Sequence, residues 1–118
     1  MPESTGTLVE GVSGRIVAQR LRRAVTSRDR SVGLLGRFAP EESDALWFSD
    51  CSAIHTWFMR FPIDVAFVDK GGRIVKAYQR LAPWRIAIGG LRSRHVVELA
   101  AGTLERTRIG VGDVLLDG

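Results

Sequence analysis

The chain alternates short apolar runs with breaks rich in glycine, proline and charged residues. The clearest pair of runs, residues 63–68 and 73–78, flanks the sequence Asp-Lys-Gly-Gly at 69–72. Two strand-like runs joined by a glycine-containing turn predict a β-hairpin. Asp64 is the only polar residue in the first run, and such a run is expected of a strand buried on both faces at the centre of a sheet.

Further runs predict the rest of the fold. Residues 26–36 open with hydroxyl side chains suited to an N-cap and end on Gly36, which predicts one short helix. Residues 100–106 predict a turn and a single helical turn. The segments with strand character are residues 16–25, as an edge strand, 45–48, 95–99 and 111–116. The predicted fold class is therefore α+β and mostly β: a compact antiparallel sheet or barrel-like domain with one or two short helices.

Length and composition limit the number of domains and the class of protein. A chain of 118 residues with 45% hydrophobic and 25% charged residues fits one ordinary globular domain. We expect residues 1–12 to form a flexible N-terminal tail and residues 13–118 to form that domain. The first residues lack the charged and apolar segments of a secretory signal, and no later window of about 18 residues is wholly apolar. The default expectation is a cytoplasmic protein without a membrane span.

The net charge of +4 is unevenly distributed. Residues 15–37 carry a net +6, whereas residues 38–59 carry −4, so the two blocks could pair within one domain. Fifteen of the seventeen basic residues are arginine, a bias that more often reflects genomic base composition than selection for phosphate binding. We favour a solvated, self-paired surface over binding to nucleic acid or an anionic membrane.

A histidine and an aspartate interrupt the aromatic-rich run at residues 55–68. Burying an ionised carboxylate there requires hydrogen-bond donors, so we favour a structural role in which backbone N–H groups or a nearby arginine hold Asp64. The functional alternative is a small pocket for a polar ligand. In that pocket Asp64 would form an acidic wall, or act as a general base, beside His55, Trp57 and Arg37.

Three other residue types bear on the candidate site. Glu98 joins the tentative pocket from another strand, although the alternation around it predicts that its side chain faces solvent. Cys51 is expected to be a core residue, and with His55 it supplies too few ligands for a structural zinc, so we expect no metal and no cofactor. The tryptophans, Trp47, Trp57 and Trp84, have apolar neighbours that favour core or pocket walls over a stacking platform.

Four ordered blocks carry a resemblance to a known family. They are residues 30–37, 55–67, 97–102 and 110–113. Together these blocks resemble the family called domain of unknown function 192, over about residues 20–117. Gly33-Leu34-Leu35 stands where the family commonly has Gly-Leu-Met, a volume-conserving change. The resemblance implies a small β-rich domain of bacteria and archaea, often behind a signal peptide, and it implies no activity.

Three function classes follow from these observations. The leading one is a non-catalytic binding or accessory module for a small polar ligand or a partner peptide. The second is an enzyme that uses His55 with Asp64 or Cys51 as acid, base or nucleophile. The third, which we favour least, is a basic protein that binds nucleic acid through residues 15–37.

Overall fold

The computed structural model describes residues 3–24, 43–56 and 59–118, and every structural statement below concerns those residues. The helix predicted at 26–36 lies outside them. The chain is mostly strand, which confirms the predicted fold class. The strands are β1 (Glu3–Glu10), β2 (Ile16–Ala24), β3 (Asp44–Phe48), β4 (Ala53–His55), β5 (Ile63–Val68), β6 (Ile74–Leu81), β7 (Ile86–Ile88), β8 (His95–Ala100) and β9 (Leu115–Asp117); the short helix is α1 (Thr103–Thr107).

Seven strands form one curled sheet in the order β6-β5-β8-β3-β2-β1-β9. All neighbours in it are antiparallel except β2 and β3, which are parallel. An isolated antiparallel bridge joins Arg73 to Val114, at the starts of β6 and β9. The Leu115 N–H also donates to the Gly72 carbonyl at 2.8 Å. The curled sheet is a half-barrel whose two edge strands meet along this seam.

The predicted hairpin is confirmed as β5 and β6. One Asp69 carboxylate oxygen accepts the backbone N–H groups of Gly71 at 2.9 Å and Arg73 at 3.0 Å, which fixes the turn. Gly72 has a φ of +91°, and a Cβ at this position would lie 2.5 Å from the Leu115 carbonyl oxygen. Only glycine fits both the backbone conformation and the close approach of the seam.

Two sequence expectations are corrected by the long-range pairing of strands. Residues 3–10, expected to belong to a flexible tail, form β1, which pairs with β2 on one side and with β9 on the other. Of the segment 16–25, expected to be an edge strand, residues 16–24 lie inside the sheet as β2, between β1 and β3. The apolar period in these segments is weak, and the strands that enclose them, β9 beside β1 and β3 beside β2, lie outside the β1–β2 pair.

The sheet buries an apolar cluster on each face. One cluster includes Leu99 and Leu104 and lies on the side of α1. The other includes Phe48, Val65 and Val96, and is covered by a second, two-stranded sheet made of β4 and β7. Every residue of β5 is buried, as expected of a central strand. No helix in the described part of the chain is long and apolar enough to cross a membrane.

Candidate functional site

Asp64 is completely buried, and backbone groups occupy both of its carboxylate oxygens. Oδ1 accepts the Arg80 N–H and Oδ2 accepts the Leu104 N–H, each at 2.8 Å. The register between β5 and β6 shifts beside Asp64, and Arg80 has a φ of +51°. The bulge turns the Arg80 N–H toward the carboxylate. Asp64 therefore ties β5 to β6 and to α1, the structural role favoured from the sequence.

Glu98 is a buried acid with an unsatisfied oxygen. It lies on β8 between Leu46 of β3 and Val65 of β5, and only 3% of its surface is exposed. Its Oε2 has no hydrogen-bond partner, and burial raises the pKa of its carboxyl to about 8. The expectation that Glu98 faces solvent is wrong. The alternation of the sequence predicts that this sheet face is exposed, but β4 and β7 cover it.

The structure separates the candidate pocket residues. Val65 pairs directly with Glu98, so Asp64, one position earlier on β5, projects from the opposite face of the sheet. His55 lies on β4, outside the main sheet. Trp57 and Arg37 lie outside the described residues. Asp64 and Glu98 therefore do not line one pocket, and a pocket formed by Asp64 with His55, Trp57 and Arg37 stays a prediction from the sequence.

Cys51 is half-buried and packs against the core cluster that includes Phe48, close to the core position expected from the sequence. Its thiol donates to the Ala53 carbonyl at 3.0 Å. The histidine near this region is His95, whose Nδ1 accepts the Asp50 N–H at 3.1 Å and whose pKa is lowered by burial. An open pocket of about 200 Å³ lies here, lined by Asp50, Cys51, Ser52, Ser93 and Arg94. Within the described residues no three His, Cys, Asp or Glu side chains gather as metal ligands.

The arginines described between residues 15 and 23 contact the rest of the domain. Arg20 pairs with Asp44 at 2.6 Å, which joins the basic block to the acidic block. Arg23 pairs with Asp117 at 3.4 Å, and its guanidinium lies 5.1 Å from the Trp47 ring centroid. Arg15 donates to the Thr107 carbonyl. Arg28, Arg30 and Arg37 lie outside the described residues.

The two-stranded sheet, here called the β4–β7 ribbon, has a buried and an exposed face. Ile54 and Ala87 pair across it and point into the core. Their neighbours, the pairs Ala53–Ile88 and His55–Ile86, form the opposite face, here called the ribbon face. Ile86 is 62% exposed and Ile88 is 56% exposed. Two large apolar side chains and His55 thus share an outward surface.

Two more large apolar side chains flank the ribbon face. Trp84, just before β7, is 54% exposed, and Leu91, just after it, is fully exposed. Of the tryptophans expected in the core or in pocket walls, Trp47 is buried, whereas Trp84 lies outside the core. Sequence reasoning assigned no strand to residues 86–88. The available signal was Trp-Arg-Ile-Ala-Ile, in which large apolar residues recur at every second position.

Thr56, which is fully buried, organises the loop that carries Trp84. Its hydroxyl donates to the Ala82 carbonyl and accepts the Arg85 N–H, both at 2.8 Å. Its backbone N–H donates to the Arg85 carbonyl at 2.8 Å, and its carbonyl accepts the Trp84 N–H at 2.9 Å. This network holds Trp84 in a left-handed conformation, with a φ of +63°. The exposed indole is thus set by a buried polar hub.

Comparison with known proteins adds a family and a fold. The family model DUF192, described as "Uncharacterized ACR", matches residues 9–116. A UPF0127 protein of Pyrococcus horikoshii is 39% identical over 62 residues, which cover 52% of this chain and 53% of that protein. The chain thus spans about half the length of that relative. A UPF0127 protein of Thermococcus sibiricus is 28% identical over 112 residues, covering 90% of this chain and 71% of that protein.

Two crystal structures share the fold. A proposed transcription regulator from Sinorhizobium meliloti superposes with a TM-score of 0.80 at 23% identity, covering 97% of this chain and 95% of that one. A protein of unknown function from Novosphingobium aromaticivorans gives a TM-score of 0.79 at 21% identity, covering 98% and 92%. At these identities the likeness establishes the fold alone.

Proposed function

The chain belongs to the uncharacterised DUF192 family, and we propose that it is a non-catalytic binding module whose ribbon face docks an apolar segment of a partner protein. The observation that carries this proposal is the exposure of Trp84, Ile86, Ile88 and Leu91 within eight residues of sequence. Single exposed apolar side chains are normal on protein surfaces. A group of large ones on one surface typically marks an interaction site.

The construction of the ribbon supports this role. Ile54 and Ala87 anchor it to the core, so the exposed side chains stand on a fixed base. Thr56 fixes the loop before it through four hydrogen bonds of 2.9 Å or less. A preorganised apolar surface loses less conformational entropy on binding than a mobile one. A rigid aromatic anchor such as Trp84 is also the residue type that contributes most at protein interfaces.

The edges of the ribbon indicate how a partner would bind. In the described part of the chain, β4 and β7 pair only with each other, so each strand keeps one edge that no third strand covers. An extended peptide can add to such an edge through main-chain hydrogen bonds, while its side chains contact the apolar surface. We therefore expect an extended segment with alternating apolar side chains as the partner.

The environment of Asp64 favours binding over catalysis. Asp64 is completely buried and each of its oxygens already accepts a backbone N–H, so a substrate has no access to this carboxylate. The described arginines of the basic segment make contacts inside the domain. Both observations favour the binding of a partner peptide, because that function requires only the exposed apolar surface.

Selection from a displayed library of random peptides tests this proposal. We expect the intact chain to enrich extended apolar peptides, and we expect the double variant Ile86→Thr/Ile88→Thr to weaken their affinity about tenfold or more in calorimetry. Threonine keeps the branched shape that suits a strand. Val12→Thr is the matched control, because Val12 is 90% exposed on the turn after β1, outside the ribbon.

Two results would overturn the proposal. One is peptide binding that the double variant leaves unchanged or that Val12→Thr weakens equally. The other is concentration-dependent dimerisation in analytical ultracentrifugation that the double variant abolishes, because the ribbon face would then bind a second copy of this chain.

A further inference from the structure

A second surface lies at the seam of the half-barrel, where an open pocket of about 390 Å³ is lined by three cations and one acid. Its lining residues are Asp69, Lys70, Gly71, Arg73, Arg92 and Val114. We call this the seam pocket. Its volume lies within the range of small-molecule sites, about 300–1,000 Å³.

We propose that the seam pocket binds the phosphate group of a small molecule. Lys70, Arg73 and Arg92 against Asp69 give the lining a net charge of +2. A phosphate monoester carries about −1.5 to −2 at neutral pH, so a single group of this kind matches the lining. Guanidinium groups fit phosphate oxygens with paired, charge-assisted hydrogen bonds, and a lysine adds a point charge.

The cations of the seam pocket are available to such a ligand. Within the described residues, Lys70, Arg73 and Arg92 form no ion pair with a carboxylate, unlike Arg20, Arg80 and Arg94 elsewhere on the surface. The single carboxylate is already engaged, because one Asp69 oxygen accepts two backbone N–H groups of the hairpin turn. The lining therefore keeps a net positive charge around an open cavity.

Arg73 is also held in place. One of its guanidinium nitrogens, Nη1, donates to the Gly112 carbonyl at 2.8 Å, and its backbone forms the bridge to Val114. Its side chain is thus partly ordered before any ligand arrives, which lowers the entropy cost of binding.

Three loops meet at this pocket. Lys70 and Gly71 come from the hairpin turn, Arg92 from the connection between β7 and β8, and Val114 from the segment before β9. A phosphate held by Arg73 and Arg92 would link these loops across the seam. Because such a ligand binds only the folded chain, it should raise the thermal midpoint as well as saturate in calorimetry.

Calorimetric titration with inorganic phosphate and with glycerol 3-phosphate tests this inference, with sodium chloride at matched ionic strength as the reference. We expect saturable binding that weakens about tenfold in Arg92→Gln and is lost in Lys70→Gln/Arg92→Gln. Arg85→Gln removes the same charge from an exposed position just before β7 and should leave the affinity within about twofold. A higher affinity for glycerol 3-phosphate than for inorganic phosphate identifies the ligand as a phosphorylated small molecule. Equal affinities identify it as free phosphate.

The inference fails if neither probe saturates at millimolar concentration. It also fails if Arg85→Gln weakens binding as much as Arg92→Gln, or if chloride at equal ionic strength competes fully, since either result means non-specific charge attraction. The variants lie at an exposed rim and remove no buried contact, so a thermal midpoint near that of the parent chain verifies that they fold. None of these residues belongs to the ribbon face, so the two proposals stand or fall separately.

Discussion

Asp64 accepts the backbone N–H of Leu104 at 2.8 Å, which joins a carboxylate on the central strand β5 to the first turn of α1. The other oxygen of Asp64 holds the Arg80 N–H of the β6 bulge. One side chain thus joins the β5–β6 hairpin to α1, which lies 40 residues further along the chain. The position explains why an acid occurs inside an apolar run.

Replacing Asp64 with asparagine should destabilise the fold. The amide keeps one acceptor oxygen and turns a donor toward a backbone N–H, so one hydrogen bond to a buried carboxylate is lost. Such bonds contribute about 1.5–3 kcal/mol, and we expect a loss of about that size in urea unfolding. Asp50→Asn is the control, because its pair with Arg94 is exposed and should contribute about 1 kcal/mol or less. Equal effects of the two variants would contradict the structural role.

Glu98→Gln should remove a loss of stability that occurs between about pH 4.5 and pH 8. Burial raises the pKa of the Glu98 carboxyl to about 8 in the folded chain, from an ordinary value of 4.5. Between these pH values the unfolded chain has released this proton and the folded chain has kept it, so stability falls as pH rises. The full change is on the order of 5 kcal/mol.

Urea unfolding at several pH values between 4 and 9 measures this effect. The parent chain should lose stability across that window relative to Glu98→Gln, and the two curves should run parallel above about pH 8. Glu105→Gln, at an exposed position on α1, should keep the slope of the parent chain. A Glu98→Gln curve with that same slope would contradict the burial of a neutral acid.

Glu10→Gln should act at the opposite end of the pH scale. The Glu10 carboxylate accepts the N–H groups of Val12 and Ser13, both at 2.9 Å, and the Ser13 hydroxyl at 2.8 Å. These bonds lower the pKa of Glu10 to about 2. The stability they contribute is present above pH 4.5 and is lost as pH falls toward 2.

Thermal unfolding measures the difference in stability between the parent chain and Glu10→Gln. This gap should be widest above pH 4.5. It should close near pH 2, where the carboxyl of the parent chain is protonated as well. A gap that is independent of pH would indicate a shape effect of the substitution and not the loss of a charged acceptor.

Gly72→Ala should strain both the hairpin turn and the seam. Gly72 has a positive φ, and a Cβ would meet the Leu115 carbonyl oxygen at 2.5 Å. Adopting such a backbone conformation alone costs a non-glycine residue on the order of 1 kcal/mol, and the clash with backbone adds to it. We expect a loss of about 2 kcal/mol or more in urea unfolding. Gly71→Ala is the control, since the nearest atom to a Cβ there is 3.6 Å away.

Local sequence patterns predicted the elements whose partners lie nearby. The hairpin of β5 and β6 was predicted because its turn signal, Asp69 to Gly72, sits between two apolar runs. The buried strand β5 was predicted for the same reason, and Asp64 inside it signalled a need for donors. The family was recognised from four ordered blocks, which the match over residues 9–116 confirms.

The errors came from contacts between distant segments. The residues around Glu98 in sequence predict that its side chain faces solvent. It is buried because the β4–β7 ribbon covers that face of the sheet. The apolar neighbours of Trp84 predict a core residue or a pocket wall. The hydrogen bonds of Thr56 instead hold its loop at the surface. No local period encodes which face of a strand another segment will cover.

The pairing of β1 with β9 has a consequence for how the chain folds. Leu8 lies opposite Asp117, so contacts that complete the sheet join residues more than a hundred positions apart. Closing so long a loop lowers chain entropy before the contacts across it compensate, and proteins rich in such distant pairings fold on the order of milliseconds to seconds. During synthesis on the ribosome, β1 can pair with β2 early, but its outer edge stays open until β9 has emerged, which exposes that edge to chaperones and to other nascent chains.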